Sequence, residues 1–197
     1  MTKRVNIYLS IFEGIMNYLD IKHCNMVNGC GLRTVIWFAG CDRNCPGCFS
    51  PYTHDPNAGI KFDDAAKEEL FKDCNEDWCD GITFVGGDPL YLSNRVEVIA
   101  LAKEFKERFP SKTLWLYTGW CWSEIIEDDS LKEIIKYADV ICDGPFVDSL
   151  KDPSLKWVGS SNQHVIDVKK RIEQITSLKR YEGPQHPIQQ EAATNEY

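Results

Sequence analysis

Nowhere does this chain carry the ~18 uninterrupted apolar residues that a membrane span requires. Positive charge is in short supply: 22 Lys and Arg stand against 30 Asp and Glu, a net charge of −8. That balance lacks the clustered Lys and Arg that grip a phosphate backbone, so no nucleic-acid partner is expected. A clean secretory leader is missing too. Lys3 and Arg4 precede the apolar run 5–12, but Asn6, Ser10 and Glu13 break or end it, and no small-residue cleavage site follows. Internal repeats and low-complexity blocks are absent. What is there is a chain of 197 residues with an ordinary 43% hydrophobic share, enough for one domain with a sizeable core.

Cysteine is the abundant exception. There are nine, an odd number, in a chain too long to be a small disulfide scaffold. A reducing cytoplasm is therefore the expected location. There, clustered cysteines serve metal binding or catalysis.

Strand-like and helix-like runs alternate. Thr34–Phe38, Ile82–Val85, Leu114–Tyr117, Asp139–Cys142 and His164–Val168 read as short strands. Phe62–Glu76 reads as a helix with Asp63 and Asp64 in its first turn and Ala66, Leu70 and Phe71 facing inward. Arg95–Phe109 is a periodic helix, with Val96, Ile99, Ala100, Ala102 and Phe105 in its apolar stripe, Ser93 as N-cap and Pro110 past its end. Ser123–Tyr137 is the next. Repeated β–α units predict an α/β fold with a largely parallel sheet. Sites in such folds lie at the C-terminal ends of strands. That rule selects the loop after Phe38, Gly86–Pro89, Tyr117–Gly119, Asp143–Phe146 and Gly159–Gln163, all on one sheet edge.

The first of these loops holds the strongest local signal. Cys41, Cys45 and Cys48 fall within eight residues, and Pro46 and Gly47 force a tight turn between the last two. Three close thiolates repel one another without a cation, and soft sulfur favours zinc, copper(I) or an iron–sulfur cluster. A structural zinc wants four ligands. The fourth would come from Cys24, Cys30, Cys74 or Cys79, or the fourth position stays open for a substrate. Gly86-Gly87-Asp88-Pro89 is the turn after the next strand. Its glycines let backbone approach a ligand, and its carbonyls and carboxylate are acceptors suited to an ammonium group.

With both motifs in hand, the chain resembles the radical S-adenosylmethionine superfamily. There, three cysteines hold a [4Fe–4S] cluster whose fourth iron chelates the cosubstrate. The resemblance goes further. Asn28–Arg33, Cys45–Phe49, Tyr117–Gly119, Asp143–Phe146 and Gly159–Gln163 occur in order. This set is similar to the activating enzymes of anaerobic (class III) ribonucleoside-triphosphate reductases, over about residues 16–168. It departs from their pattern at His164, where a basic residue is expected, at Trp120-Cys121-Trp122 and at Cys30.

The resemblance implies a partial (β/α) barrel, since a full barrel needs ~250 residues. It implies an extension over 1–15, a radical S-adenosylmethionine domain over 16–180 and a loose tail over 181–197. Cys41, Cys45 and Cys48 would be iron ligands. Gly47, Cys48 and Phe49 would flank the cofactor, with Phe49 covering the adenine. Gly86, Gly87 and Asp88 would hold the methionyl end. Tyr117, Asp143 and Asn162 would stand behind them, and His54 is left unassigned. A flavodoxin or similar donor would reduce the cluster. S-adenosylmethionine would then be cleaved, and its 5′-deoxyadenosyl radical would take hydrogen from a glycine of the reductase large subunit. Other readings stay open: an activase of a formate-lyase-type enzyme, a small radical enzyme acting on a metabolite, or a zinc-stapled binding module. Cys74 and Cys79 read as packing thiols.

Overall fold

The computed structural model describes residues 16–180. The expected extension and tail lie outside the described residues. The order is β1 (Asn17–Asn25), β2 (Arg33–Phe38), β3 (Ile60–Lys61), α1 (Asp64–Phe71), β4 (Gly81–Gly86), α2 (Arg95–Arg108), β5 (Thr113–Tyr117), α3 (Trp122–Glu127), β6 (Val140–Asp143), β7 (His164–Asp167) and α4 (Val168–Arg180). They form one seven-stranded sheet in the order β3-β1-β2-β4-β5-β6-β7. The four central strands β2, β4, β5 and β6 run parallel. β1 and β3 on one side and β7 on the other are antiparallel additions. The α/β class and the parallel centre are as expected. The sheet is open, with β3 and β7 as its edges, and no barrel closes.

Strand alternation gives this sheet two unlike faces. Ile36, Phe38, Ile82, Phe84, Leu116 and Ile141 point to one side and are fully buried. There they meet Leu70 and Phe71 of α1 and Val98, Leu101, Ala102 and Phe105 of α2 in one core. Phe38 packs edge-on to Phe84 with centroids 5.4 Å apart, a favoured aromatic geometry. The intervening residues, among them Trp37, Val85, Tyr117 and Cys142, point to the other side, over which no long helix is laid among the described residues.

Four expectations shift. In α2 the buried stripe is Val98, Leu101, Ala102 and Phe105, while Val96 and Ala100 are exposed. The helix start is pinned by Asn94, whose Nδ2–H donates to the Ala39 carbonyl (2.7 Å), and not by a Ser93 cap. The helix expected over Ser123–Tyr137 is broken. It stops at Glu127, because Asp128 Oδ1 accepts both the Ser130 N–H and hydroxyl (2.7 Å each), and a 3-10 turn over Lys132–Lys136 follows. The helix expected to Glu76 ends at Phe71 and continues as a 3-10 turn.

Arg33 opens β2 and is 1% exposed. Its guanidinium donates to Thr83 Oγ1 (2.8 Å), the Ile82 carbonyl (2.7 Å), the Thr113 carbonyl and Oγ1 (2.6 and 2.9 Å) and the Cys30 carbonyl (3.1 Å). It therefore ties β2, β4, β5 and the loop before β2 together at the N-terminal edge. Arg33→Met should leave these acceptors unpaired and cost about 3 kcal/mol or more. The check is the denaturant midpoint at constant m-value, and an unmoved midpoint would remove Arg33 from the framework.

Candidate active site

The open face of the sheet and the C-terminal strand ends enclose one cavity of about 660 Å³. Its floor is Trp37, Val85, Tyr117 and Cys142. All five segments selected from the sequence contribute to its lining. The fifth arrives by an unexpected route. β7 is antiparallel, so Gly159–Gln163 precedes it and still lies at the same edge as the ends of the parallel strands. Gln163 holds that loop: its Oε1 accepts the Gly159 and Ser160 N–H groups (3.0 and 3.2 Å), and its Nε2–H donates to the Gly144 carbonyl (2.9 Å).

The cysteine loop forms one wall. Cys41, Cys45 and Cys48 are all half-buried and all line the cavity. The chain folds back after them. The Gly40 N–H donates to the Thr53 carbonyl (2.8 Å) and the Cys41 N–H to the His54 carbonyl (3.1 Å). This brings His54 Nε2 to 3.4 Å from Cys48 Sγ. Sequence reading left His54 unassigned, and a Pro51–Thr53 3-10 turn is what returns it to the thiols. Burial pushes the Cys41 thiol up to about 11, partly offset by an N–H bond from Arg43. A bound cation reverses that logic and deprotonates a coordinating thiol.

The other predicted residues divide. Phe49 is 70% exposed and lines the cavity mouth, edge-on to Phe146 (5.6 Å), with Lys151 Nζ 5.5 Å from its ring. It does not pack in the core. Gly47 sits at φ 73°, and a side chain there would meet Asp148 of the facing loop at 2.9 Å; it is not among the residues lining the cavity. Gly86 and Gly87 do line it. Their lack of side chains serves the protein's own backbone, however: a Cβ on Gly87 would stand 2.3 Å from the Gly40 carbonyl oxygen, and one on Gly86 2.4 Å from that of Phe38.

Asp88 differs from expectation. It is 1% exposed and does not line the cavity. Its Oδ1 accepts the Leu90 N–H (2.9 Å) and the Thr118 hydroxyl (2.8 Å), and its Oδ2 accepts the Gly119 N–H (3.1 Å). Burial pushes the carboxyl above its ordinary value, and these three bonds pull the other way. The carboxylate is thus occupied in clasping the β4 and β5 turns. Asp143 is a second clasp. It is 4% exposed and accepts from the N–H groups of Trp122 (2.7 Å) and His164 (3.1 Å). Asn162 donates from Nδ2 to the Pro145 carbonyl (2.8 Å).

Two lining residues escaped the sequence reading. Arg43 stacks on Trp120, its guanidinium carbon 4.3 Å from the ring, and its buried Nε and Nη2 have no hydrogen-bond partner. Cys142 is a fourth cysteine on the cavity, in its floor. The candidate fourth zinc ligands do not join the cysteine loop. Cys74 and Cys79 are core residues, and Cys30 and Cys79 line a separate cavity of about 370 Å³. Among the described residues, no three His, Cys, Asp or Glu side chains converge on a single ion. Three soft donors on the wall of a roomy cavity, beside a half-buried cation, suit a larger and negatively charged group such as an iron–sulfur cluster.

Asp88→Ala should orphan three buried donors and lower stability by about 3 kcal/mol. Denaturant unfolding reads this directly; a loss below the range of an ordinary surface substitution would refute the clasp.

Comparison with known proteins agrees with this geometry. The family model for a 4Fe-4S single cluster domain matches residues 27–166. The anaerobic ribonucleoside-triphosphate reductase-activating protein of Enterobacteria phage T4 is 39% identical over 150 residues, 76% of this chain and 93% of the relative. The proteins of that name from Escherichia coli (strain K12) and Haemophilus influenzae are 36% and 33% identical, across 76% and 75% of this chain and 97% and 96% of their own. An open α/β sheet with three thiols at its strand ends, a matching cluster model and relatives aligned over nearly their whole length make one statement: the chain belongs to the family of anaerobic ribonucleoside-triphosphate reductase-activating proteins.

Proposed function

We propose that this chain is a radical S-adenosylmethionine enzyme that activates an anaerobic ribonucleoside-triphosphate reductase. The observation that carries this reading is the convergence of the Cys41–Cys48 loop and the Gly86–Gly87 turn on one cavity. The name shared by the relatives supplies the target. Cys41, Cys45 and Cys48 would hold a [4Fe–4S] cluster, with S-adenosylmethionine bound beside it. When bound and reduced by a flavodoxin or similar donor, that pair would supply the 5′-deoxyadenosyl radical chemistry that takes a hydrogen atom from a glycine of the reductase large subunit and leaves a glycyl radical there.

The protein's own residues bind, orient and shield. The backbone of Gly86 and Gly87 faces the methionyl end, and Asp88 acts as a positioning residue that fixes their turn through Thr118 and Gly119. Arg43 balances the negative charge of the thiolates from a half-buried position on the wall. Phe49 and Phe146 at the mouth give the adenine an aromatic edge to lie against. The open mouth admits a protein segment, and a docked segment excludes water from the radical. All nine cysteines are free, which suits a reducing cytoplasm, and among the described residues no helix is long and apolar enough to cross a membrane.

Cys45→Ser should abolish the iron–sulfur absorbance and all activation, while Cys79→Ser keeps both. Equal loss in the two variants would mean the ligand set is wrong. Incubation with the reductase and, separately, with a formate-lyase-type enzyme, followed by the glycyl-radical signal, identifies the target. A signal only with the latter would reassign the protein.

A further inference from the structure

The cavity floor holds a side chain that this chemistry leaves unused. Cys142 lies on β6, is 1% exposed, and lines the cavity from the sheet side. It stands beside Tyr117 of β5, its partner in the parallel register. Tyr117 also lines the cavity, its buried Oη has no hydrogen-bond partner, and burial first and the nearby Cys142 thiol second push its ionisation up. Burial pushes Cys142 up to about 12, so at neutral pH its sulfur carries hydrogen. A protonated thiol is therefore set into the floor of a chamber read as generating a carbon radical.

We propose that Cys142, beside Tyr117, is a hydrogen-atom donor that quenches the radical when no reductase glycine is docked. The inference rests on the cosubstrate chemistry proposed above. In the step, the S–H bond of Cys142 breaks and a C–H bond forms at C5′. The products are 5′-deoxyadenosine and one unpaired electron on the Cys142 sulfur. An S–H bond is weaker than the C–H bond of a methyl group, so the transfer runs downhill. One electron from the donor that feeds the cluster, with a proton from solvent, restores the thiol. A docked segment puts its glycine between the radical and the floor. With the cavity empty, the Cys142 S–H is a weak bond set in its floor, and Tyr117→Phe separates it from the phenolic O–H beside it.

The test uses cluster-reconstituted protein without reductase, in thiol-free D2O buffer with dithionite and S-adenosylmethionine. The wild-type floor thiol exchanges to S–D, so most of the 5′-deoxyadenosine should carry one deuterium by mass spectrometry. In Cys142→Ser the label should be lost, although its hydroxyl also exchanges, because an O–H bond of that kind is too strong to donate; Cys142→Ala should behave the same. Tyr117→Phe should retain the label and shift the infrared S–H stretching band that Cys142→Ser removes from the cluster-free protein. Unlabelled wild-type product, or label unchanged in both Cys142 variants, overturns the inference and leaves the cosubstrate reading intact. Loss of the cluster in Cys142→Ser would make Cys142 a ligand and overturn it too. Absence of any 5′-deoxyadenosine overturns the cosubstrate reading and the inference together.

Discussion

The Asp88 carboxylate is the constraint on which the site depends. It is buried, and it takes one hydrogen bond from its own turn and two from the turn after β5. Its own N–H donates to the Gly40 carbonyl (2.8 Å), beside Cys41, and the Gly87 N–H donates to the Phe38 carbonyl (2.8 Å). Three strand ends are thereby locked to one another around a single residue. Burying a carboxylate is costly unless its lone pairs are filled, and here the filling is done by the loops that must be held. The cysteine loop thus inherits its placement from a group that does not itself face the cavity.

The second constraint is the two-faced sheet. Helices cover one face and supply a continuous apolar core. The opposite face would be an exposed hydrophobic liability if it were only a surface. Instead Trp37, Val85, Tyr117 and Cys142 become a floor, and the loops after β2, β4, β5 and β6 become walls. Arg33 closes the N-terminal edge below, stacking on Trp115 (5.6 Å), which meets Trp157 of the long loop before β7 (5.0 Å). Core stability and cavity shape therefore come from opposite sides of the same strands.

The central strands were legible because fully buried parallel strands read as short apolar runs ended by glycine or aspartate. That the cysteine loop and Gly86–Gly87 line one cavity was legible because each follows the end of a readable strand. β1 was not. Its half-buried residues include His23, bonded to Asp73 and Glu69 (2.6 Å each), so polarity conceals a strand whose His23 finds its partners about 50 residues away. The role of Asp88 was misjudged for the same reason: nothing near it in sequence announces Thr118 and Gly119 as its donors. Cys142 passed unnoticed because alternation on β6, not spacing from other cysteines, turns it to the cavity. The α4 helix was hidden behind the basic run Lys169–Arg171, which lies on its exposed or half-buried side.

The account's central claim is an iron–sulfur cluster with one iron open to S-adenosylmethionine. Electron paramagnetic resonance of the anaerobically reconstituted, reduced protein tests it most directly. A reduced-cluster signal whose shape changes when S-adenosylmethionine is added is the predicted result. A signal indifferent to the cosubstrate, or zinc in place of iron, would contradict it.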